Sequence, residues 1–272
     1  MRTFDRLRAP RPANDVVIDV IGPISVRTYK PASGVTSPSP GLLWIHGGGY
    51  VMGTAAVDDA ICRHFAHELG IIVASVDYRL APENPFPAPL HDCYHALTWL
   101  AERADVDATR VAIGGASAGA GLAAALALLA RERAEVRPIF QLLTYPMLDD
   151  RTATRNDIDE THIRCWNNAA NRFGWQSYLR AAPGSVGINP LAAPARYEDL
   201  SGLPPAWMGV GSLDLFYEED IGYANRLTAA GVRCDRLVID GAFHGFDLAR
   251  PHAGISQRFR AAQTKALADA LK

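Results

Sequence analysis

Ser117 stands in the run Gly115-Ala116-Ser117-Ala118-Gly119, a G-x-S-x-G pattern. A serine hydroxyl attacks a carbonyl well only when a neighbouring base takes its proton. Of the eight histidines, His244 in "VIDGAFHGFDLA" sits best for that role, a few residues past an apolar strand. His64 and His67 fall on one helix, and His91 and His95 on another. His162 lies in a polar excursion, and His252 in the turn before the last helix. An imidazole working as a base needs a carboxylate to fix its tautomer and stabilise its cation. Asp214 in "AWMGVGSLDLF" follows a strand and supplies one. Glu218, Glu219 and Asp220 are close rivals. They fit better as acids of a helix's first turn, where the helix dipole favours negative charge.

Attack on a carbonyl also creates an oxyanion, which needs backbone N–H donors. The residue after the nucleophile, Ala118, offers one. The sequence "HGGGY" at 46–50 offers the rest. Three consecutive glycines directly after an apolar run cost backbone entropy, so they call for a backbone reason. Here they leave amides unshielded and let a substrate approach closely.

The elements that must hold these residues alternate. Strand patterns "LLWIH", "IIVASVDY", "RVAIGG", "IFQLLTYP", "AWMGVG" and "CDRLVID" are separated by helical segments. These are "DDAICRHFAHELG", N-capped around Asp58 and stopped by Gly70, then "PLHDCYHALTWLAERA", "AGLAAALALLARERA" and "EEDIGYANRLTAAG". A last helix starts at about Ile255. Such alternation predicts βαβ units and an α/β fold with an open, mostly parallel sheet. Two early strands, "DVVIDVIG" and "ISVRTY", meet at Gly22-Pro23, and "KPASGVTSPSPG" reads as a surface loop. Between 149 and 205 the chain is polar, aromatic and Pro/Gly-punctuated, without a strand signal. A long excursion of this kind inside an α/β domain is expected to be a lid. Its Trp166, Phe173, Trp175 and Tyr178 could line an apolar pocket or pack the lid down.

The 272 residues are 49% hydrophobic and 21% charged, with 27 Lys+Arg against 29 Asp+Glu. One domain over 1–272 accommodates them, and the charge balance points to no nucleic-acid or anionic-membrane partner. The N-terminal "MRTFDRLRAPRPANDVV" lacks the apolar core of a secretory signal, and the longest apolar run, at 122–130, is too short to span a bilayer. Cys62, Cys93, Cys165 and Cys234 are scattered without a CxxC pair. They read as free thiols in a reducing cytoplasm rather than as a metal site.

Together, "HGGGY", "DYRLAPENPFPAP", "GGASAGAGLAAALAL", "YPMLD", "GSLDLF" and "GAFHGFD" resemble the hormone-sensitive-lipase-like esterases, bacterial lipolytic family IV. The similarity runs from about Trp44 to the C-terminus. It implies an α/β-hydrolase fold and a carboxylesterase that needs no cofactor or metal and acts on small, soluble, short- to medium-chain esters. It also implies the roles of nucleophile for Ser117, acid for Asp214 and base for His244, in the chain order of that fold. Gly48, Gly49 and Ala118 would form the oxyanion hole, with Gly47 completing the turn. Asp77, Arg79 and Glu83 would form a structural polar network beneath the site. Two departures stand out. Ala116 replaces the family's usual acid before the nucleophile, and Ala120 a usual glycine. The residues before the first strand are also too few for the family's N-terminal cap helices, so the expected cap is reduced to 149–205. A more open site follows, with an apolar rim that a second subunit of a homodimer would cover. The alternatives are amide, lactone or carbamate hydrolysis on the same triad, or a non-catalytic ligand-binding receptor of the same fold.

Overall fold

The computed structural model describes residues 16–31, 34 and 37–272. The expectations about a leader and about N-terminal cap helices concern residues 1–15, which lie outside the described residues. Eight strands form one sheet: β1 (Val16–Ile21), β2 (Ile24–Tyr29), β3 (Ser39–Ile45), β4 (Ile72–Asp77), β5 (Val106–Ala116), β6 (Phe140–Thr144), β7 (Ala206–Gly211) and β8 (Cys234–Ile239). Their order is β1-β2-β4-β3-β5-β6-β7-β8. The β1–β2 and β2–β4 pairs are antiparallel, and every pairing from β4 to β8 is parallel. This is the expected mostly parallel sheet, an α/β-hydrolase fold.

Seven helices connect and flank it: α1 (Asp59–Leu69), α2 (Ala88–Ala101), α3 (Ala118–Arg133), α4 (Asn168–Leu179), α5 (Tyr217–Ala229), α6 (Phe246–Ala249) and α7 (Gly254–Ala270). Side chains alternate across a strand, so β3 sends Leu43 and Ile45 into one core and Leu42 and Trp44 into the other. The first core is covered by α2, α3 and α5, through residues such as Leu97, Leu126 and Leu227. The second is covered by α1 and α7, through Phe65 and Phe259. Burial on both faces explains why β3, β6 and β7 are buried along their whole length, whereas the edge strands β1 and β8 are partly exposed.

Three local expectations need correction. The loop drawn through Gly41 ends earlier, because Ser39 already pairs with Val106 and begins β3, with a register shift before Gly41. The excursion 149–205 has no strand, but it carries α4. Asn167 caps that helix by accepting from the Ala170 amide, a signal hidden by the polar, glycine-containing sequence that follows. The short α6 directly after His244 was also unforeseen, since four residues carry no periodicity.

Candidate active site

The elbow around Ser117 follows from sterics. Ser117 lies between β5 and α3 with φ 57° and ψ −123°, a backbone region that a side chain rarely occupies. Such strain persists only when the surroundings over-determine it. Here the Ser117 amide donates to Thr144 O at 2.9 Å, and its carbonyl accepts from the Gly121 and Met147 amides at 3.0 and 3.1 Å. The neighbouring turn must be glycine: a Cβ on Gly119 would lie 2.0 Å from the Ile45 carbonyl oxygen, and one on Gly115 2.5 Å from the same atom. The G-x-S-x-G spacing is therefore set by how closely the elbow presses against the end of β3.

The structure brings Ser117, Asp214 and His244 together from three separate strand ends. His244 Nε2 lies 2.9 Å from Ser117 Oγ, and His244 Nδ1 lies 2.8 Å from Asp214 Oδ2. The other Asp214 oxygen accepts the Phe216 amide at 2.9 Å. All three side chains are buried. The imidazole is held edge-on between Tyr145 and Phe216, with centroids at 4.7 and 5.1 Å. Since a carboxylate accepts, the network assigns the imidazole proton to Nδ1 and leaves Nε2 free to accept from the hydroxyl.

The rivals of Asp214 stand where the helix start was expected, in the first turn of α5, but two of them are not surface acids. Glu219 accepts the Leu148 and Asp149 amides at 2.8 and 3.2 Å and the Thr152 hydroxyl, which ties the start of the excursion to α5. Burial holds its carboxyl well above the usual range. Asp220 is fully buried, and neither of its oxygens has a hydrogen-bond partner among the described residues. Glu218 is exposed and pairs with Arg155.

Gly47 and Gly48 line a cavity beside Ser117, whereas Gly49 and Ala118 do not. Gly49, at φ 59°, lies so close beneath the Trp166 ring that a Cβ there would come within 2.1 Å of it. Among the described residues, nothing accepts the amide hydrogens of Gly48, Gly49 or Ala118. Of these three, Gly48 faces the cavity. Below them His46 is buried and stacks on Tyr78 at 4.3 Å, and burial lowers its basicity. Asp77 lies 3.9 Å from His46 Nε2 and accepts the Ala55 amide, while Arg79 turns away to a bidentate pair with Asp92.

The cavity has a volume of about 850 Å³ and mostly apolar walls, including Met52, Val57, Trp166 and Leu248. Of the four lid aromatics, Trp166 alone lines it. Trp175 and Tyr178 are buried against Tyr50, and Phe173 is exposed. Sequence reasoning missed Tyr145 and Asp58. Tyr145 lies within "YPMLD", but nothing local foretells its contact with His244 or its 2.9 Å hydrogen bond to Asp247. Asp58 does occupy the N-cap position of α1, yet its side chain caps nothing. It accepts the Trp44 indole N–H at 2.8 Å and faces the cavity. All four cysteines carry free thiols, and no helix among the described residues is long and apolar enough to cross a membrane.

Comparison with known proteins agrees with this architecture. A family described as having the alpha/beta hydrolase fold matches residues 42–248. The carboxylic ester hydrolase LipN of Mycobacterium tuberculosis is 36% identical over 83% of the chain, which spans 61% of that relative's length. The esterase LipI of the same organism is 36% identical over 85% of the chain and 74% of its own length. Among solved structures, a bacterial heroin esterase superposes with a TM-score of 0.89 at 37% identity, covering 99% of this chain and 90% of that one. With its sheet order, its elbow and these relatives, the chain belongs to the alpha/beta hydrolase family, within the hormone-sensitive-lipase-like carboxylic ester hydrolases.

Proposed function

We propose that the protein is a serine carboxylesterase in which Ser117, His244 and Asp214 act as nucleophile, base and orienting acid. The observation that carries this reading is the continuous Asp214–His244–Ser117 hydrogen-bond chain, 2.8 and 2.9 Å long, opening into a cavity. As Ser117 Oγ attacks the ester carbonyl, its proton passes to His244 Nε2. The imidazolium is stabilised by Asp214, and the oxyanion takes the amides of Gly48, Gly49 and Ala118. Collapse expels the alcohol, which receives the proton from His244, and leaves an acyl group on Ser117. A water activated by His244 then releases the acid. Each oxyanion donor is worth on the order of 10²–10³ in rate.

The substrates are proposed to be small esters of short- to medium-chain acids, with 149–205 acting as a reduced cap over one domain. The charge balance favours small molecules over nucleic acid, free thiols fit a reducing cytoplasm, and a homodimer would cover an exposed rim. The receptor alternative has less support, because it has no use for a histidine poised 2.9 Å from the serine. Amide, lactone and carbamate hydrolysis would use the same groups.

The test is pre-steady-state hydrolysis of 4-nitrophenyl acetate with phosphonate labelling. The native protein should release a burst of nitrophenol matching the enzyme concentration and take label at Ser117. Ser117→Ala should abolish both with its melting temperature unchanged. Labelling of a different serine would overturn the assignment.

A further inference from the structure

The cavity beside Ser117 contains a carboxyl group that ester hydrolysis does not use. Asp58 ends the 3-10 turn Ala55–Asp58, lines the cavity with Thr54, Ala56 and Val57, and is 4% exposed. One oxygen, Oδ2, accepts the Trp44 indole N–H, and among the described residues Oδ1 has no protein donor. No lysine or arginine lines the cavity. Its other titratable groups there are Tyr145, Cys165 and His244. Asp58 is the one carboxylate among the described lining residues. The next charge acting on it is of the same sign: Asp247, held by the Tyr145 hydroxyl at 2.9 Å. Burial pushes the Asp58 carboxyl up to about 6, against the Trp44 hydrogen bond, with Asp247 and Asp59 raising it further. Above that pH the carboxylate faces mostly apolar walls with no lysine or arginine among the described lining residues, and a largely buried charge without a counter-ion is costly.

The geometry points to a charge-selective subsite: Asp58 receives a protonated amine on one arm of the ester, pairing its N⁺–H with Oδ1 while the carbonyl lies at Ser117. This inference rests on the ester-hydrolase reading. The pairing would be a charge-assisted hydrogen bond beside mostly apolar walls. An acid that served only to satisfy Trp44 could be replaced by an amide without consequence. An acid that binds a cation could not.

Two acetate esters of matched shape separate these cases: 4-(dimethylaminomethyl)phenyl acetate, cationic at about pH 8, and 4-isobutylphenyl acetate, neutral. Each kcat/KM is divided by the ester's rate of hydroxide-catalysed hydrolysis, which removes the difference in leaving group. The native protein should prefer the cationic ester by about tenfold or more, and Asp58→Asn, which keeps an acceptor for Trp44, should lose that preference. Equal normalised rates in the native protein overturn the subsite whether or not the variant folds, and so does a preference that survives in D58N. Calorimetric titration with benzyldimethylammonium reads the same contact without turnover: binding should weaken about tenfold or more in D58N. Loss of turnover on both esters with ammonium binding intact would sink the hydrolase reading and leave the subsite standing.

Discussion

At the scale of single residues, Asp214 and Glu219, five positions apart, differ in what their oxygens touch. Asp214 meets His244, whereas Glu219 holds the Leu148 and Asp149 amides. Asp214→Asn should therefore lower kcat by about 10⁴, through a disturbed imidazole tautomer, with little change in melting temperature. Glu219→Gln should do the reverse. It replaces an acceptor oxygen by a donor next to the Thr152 hydroxyl and costs about 1–3 kcal/mol of stability. Steady-state kinetics and thermal melts on both variants check this. Similar losses of kcat in both would mean that the wrong carboxylate has been given the catalytic role.

At the scale of elements, the elbow and the start of α5 carry opposite kinds of cost. The elbow's strain at Ser117 is held by β3, β6 and α3 and, in the proposed mechanism, serves the reaction. The cost at Asp220 has no such use: a carboxyl fully buried in the first turn of α5, near Glu219 and Asp214, with both oxygens unpartnered among the described residues. Burial, reinforced by those two neighbours, raises its pKa well above the ordinary value. Between the unfolded and the raised folded pKa, the folded chain binds more protons than the unfolded one. Stability contributed at this site therefore falls as pH rises through that window. Asp220→Asn should stabilise the protein at neutral pH by roughly 1–2 kcal/mol. The gain should vanish below about pH 4, where the carboxyl is protonated in both states. Melting temperature against pH for both proteins tests this, and a gain that does not depend on pH would contradict it.

At the scale of the whole molecule, the cavity of about 850 Å³ beside Ser117 is walled on one side by Trp166 of the 149–205 excursion. With Trp166 alone of the four excursion aromatics on that wall, a long acyl chain meets little continuous apolar surface. Each methylene that finds no contact forgoes about 0.8 kcal/mol, roughly fourfold in specificity. Across 4-nitrophenyl esters, kcat/KM should peak at short to medium chains and decline by laurate. A steady rise to laurate would require a deep enclosed acyl tunnel and would refute the open site.

The parts of this protein that depend on local chemistry were legible in the chain itself. Strands buried on both faces must be apolar throughout. A turn pressed against β3 must have glycine at 115 and 119. The turn after β3 holds Gly48 at φ 119° with no room for a Cβ beside the Met52 carbonyl, hence glycine there. These constraints fall on short runs of neighbouring residues and leave motifs in order along the chain, so the sheet, the elbow and the candidate Ser117–Asp214–His244 set could be read in advance. Contacts between distant segments leave no such trace. Asp58 reads as a helix cap, because what diverts it is Trp44, fourteen positions earlier on another element. Glu219 reads as a first-turn acid, because what buries it, the Leu148 and Asp149 amides and the Thr152 hydroxyl, lies about seventy positions earlier. Of four lid aromatics only Trp166 reaches the cavity, a choice made by how α4 packs on Tyr50. Side-chain direction and burial belong to the assembled molecule, and the charge that faces the substrate is set there.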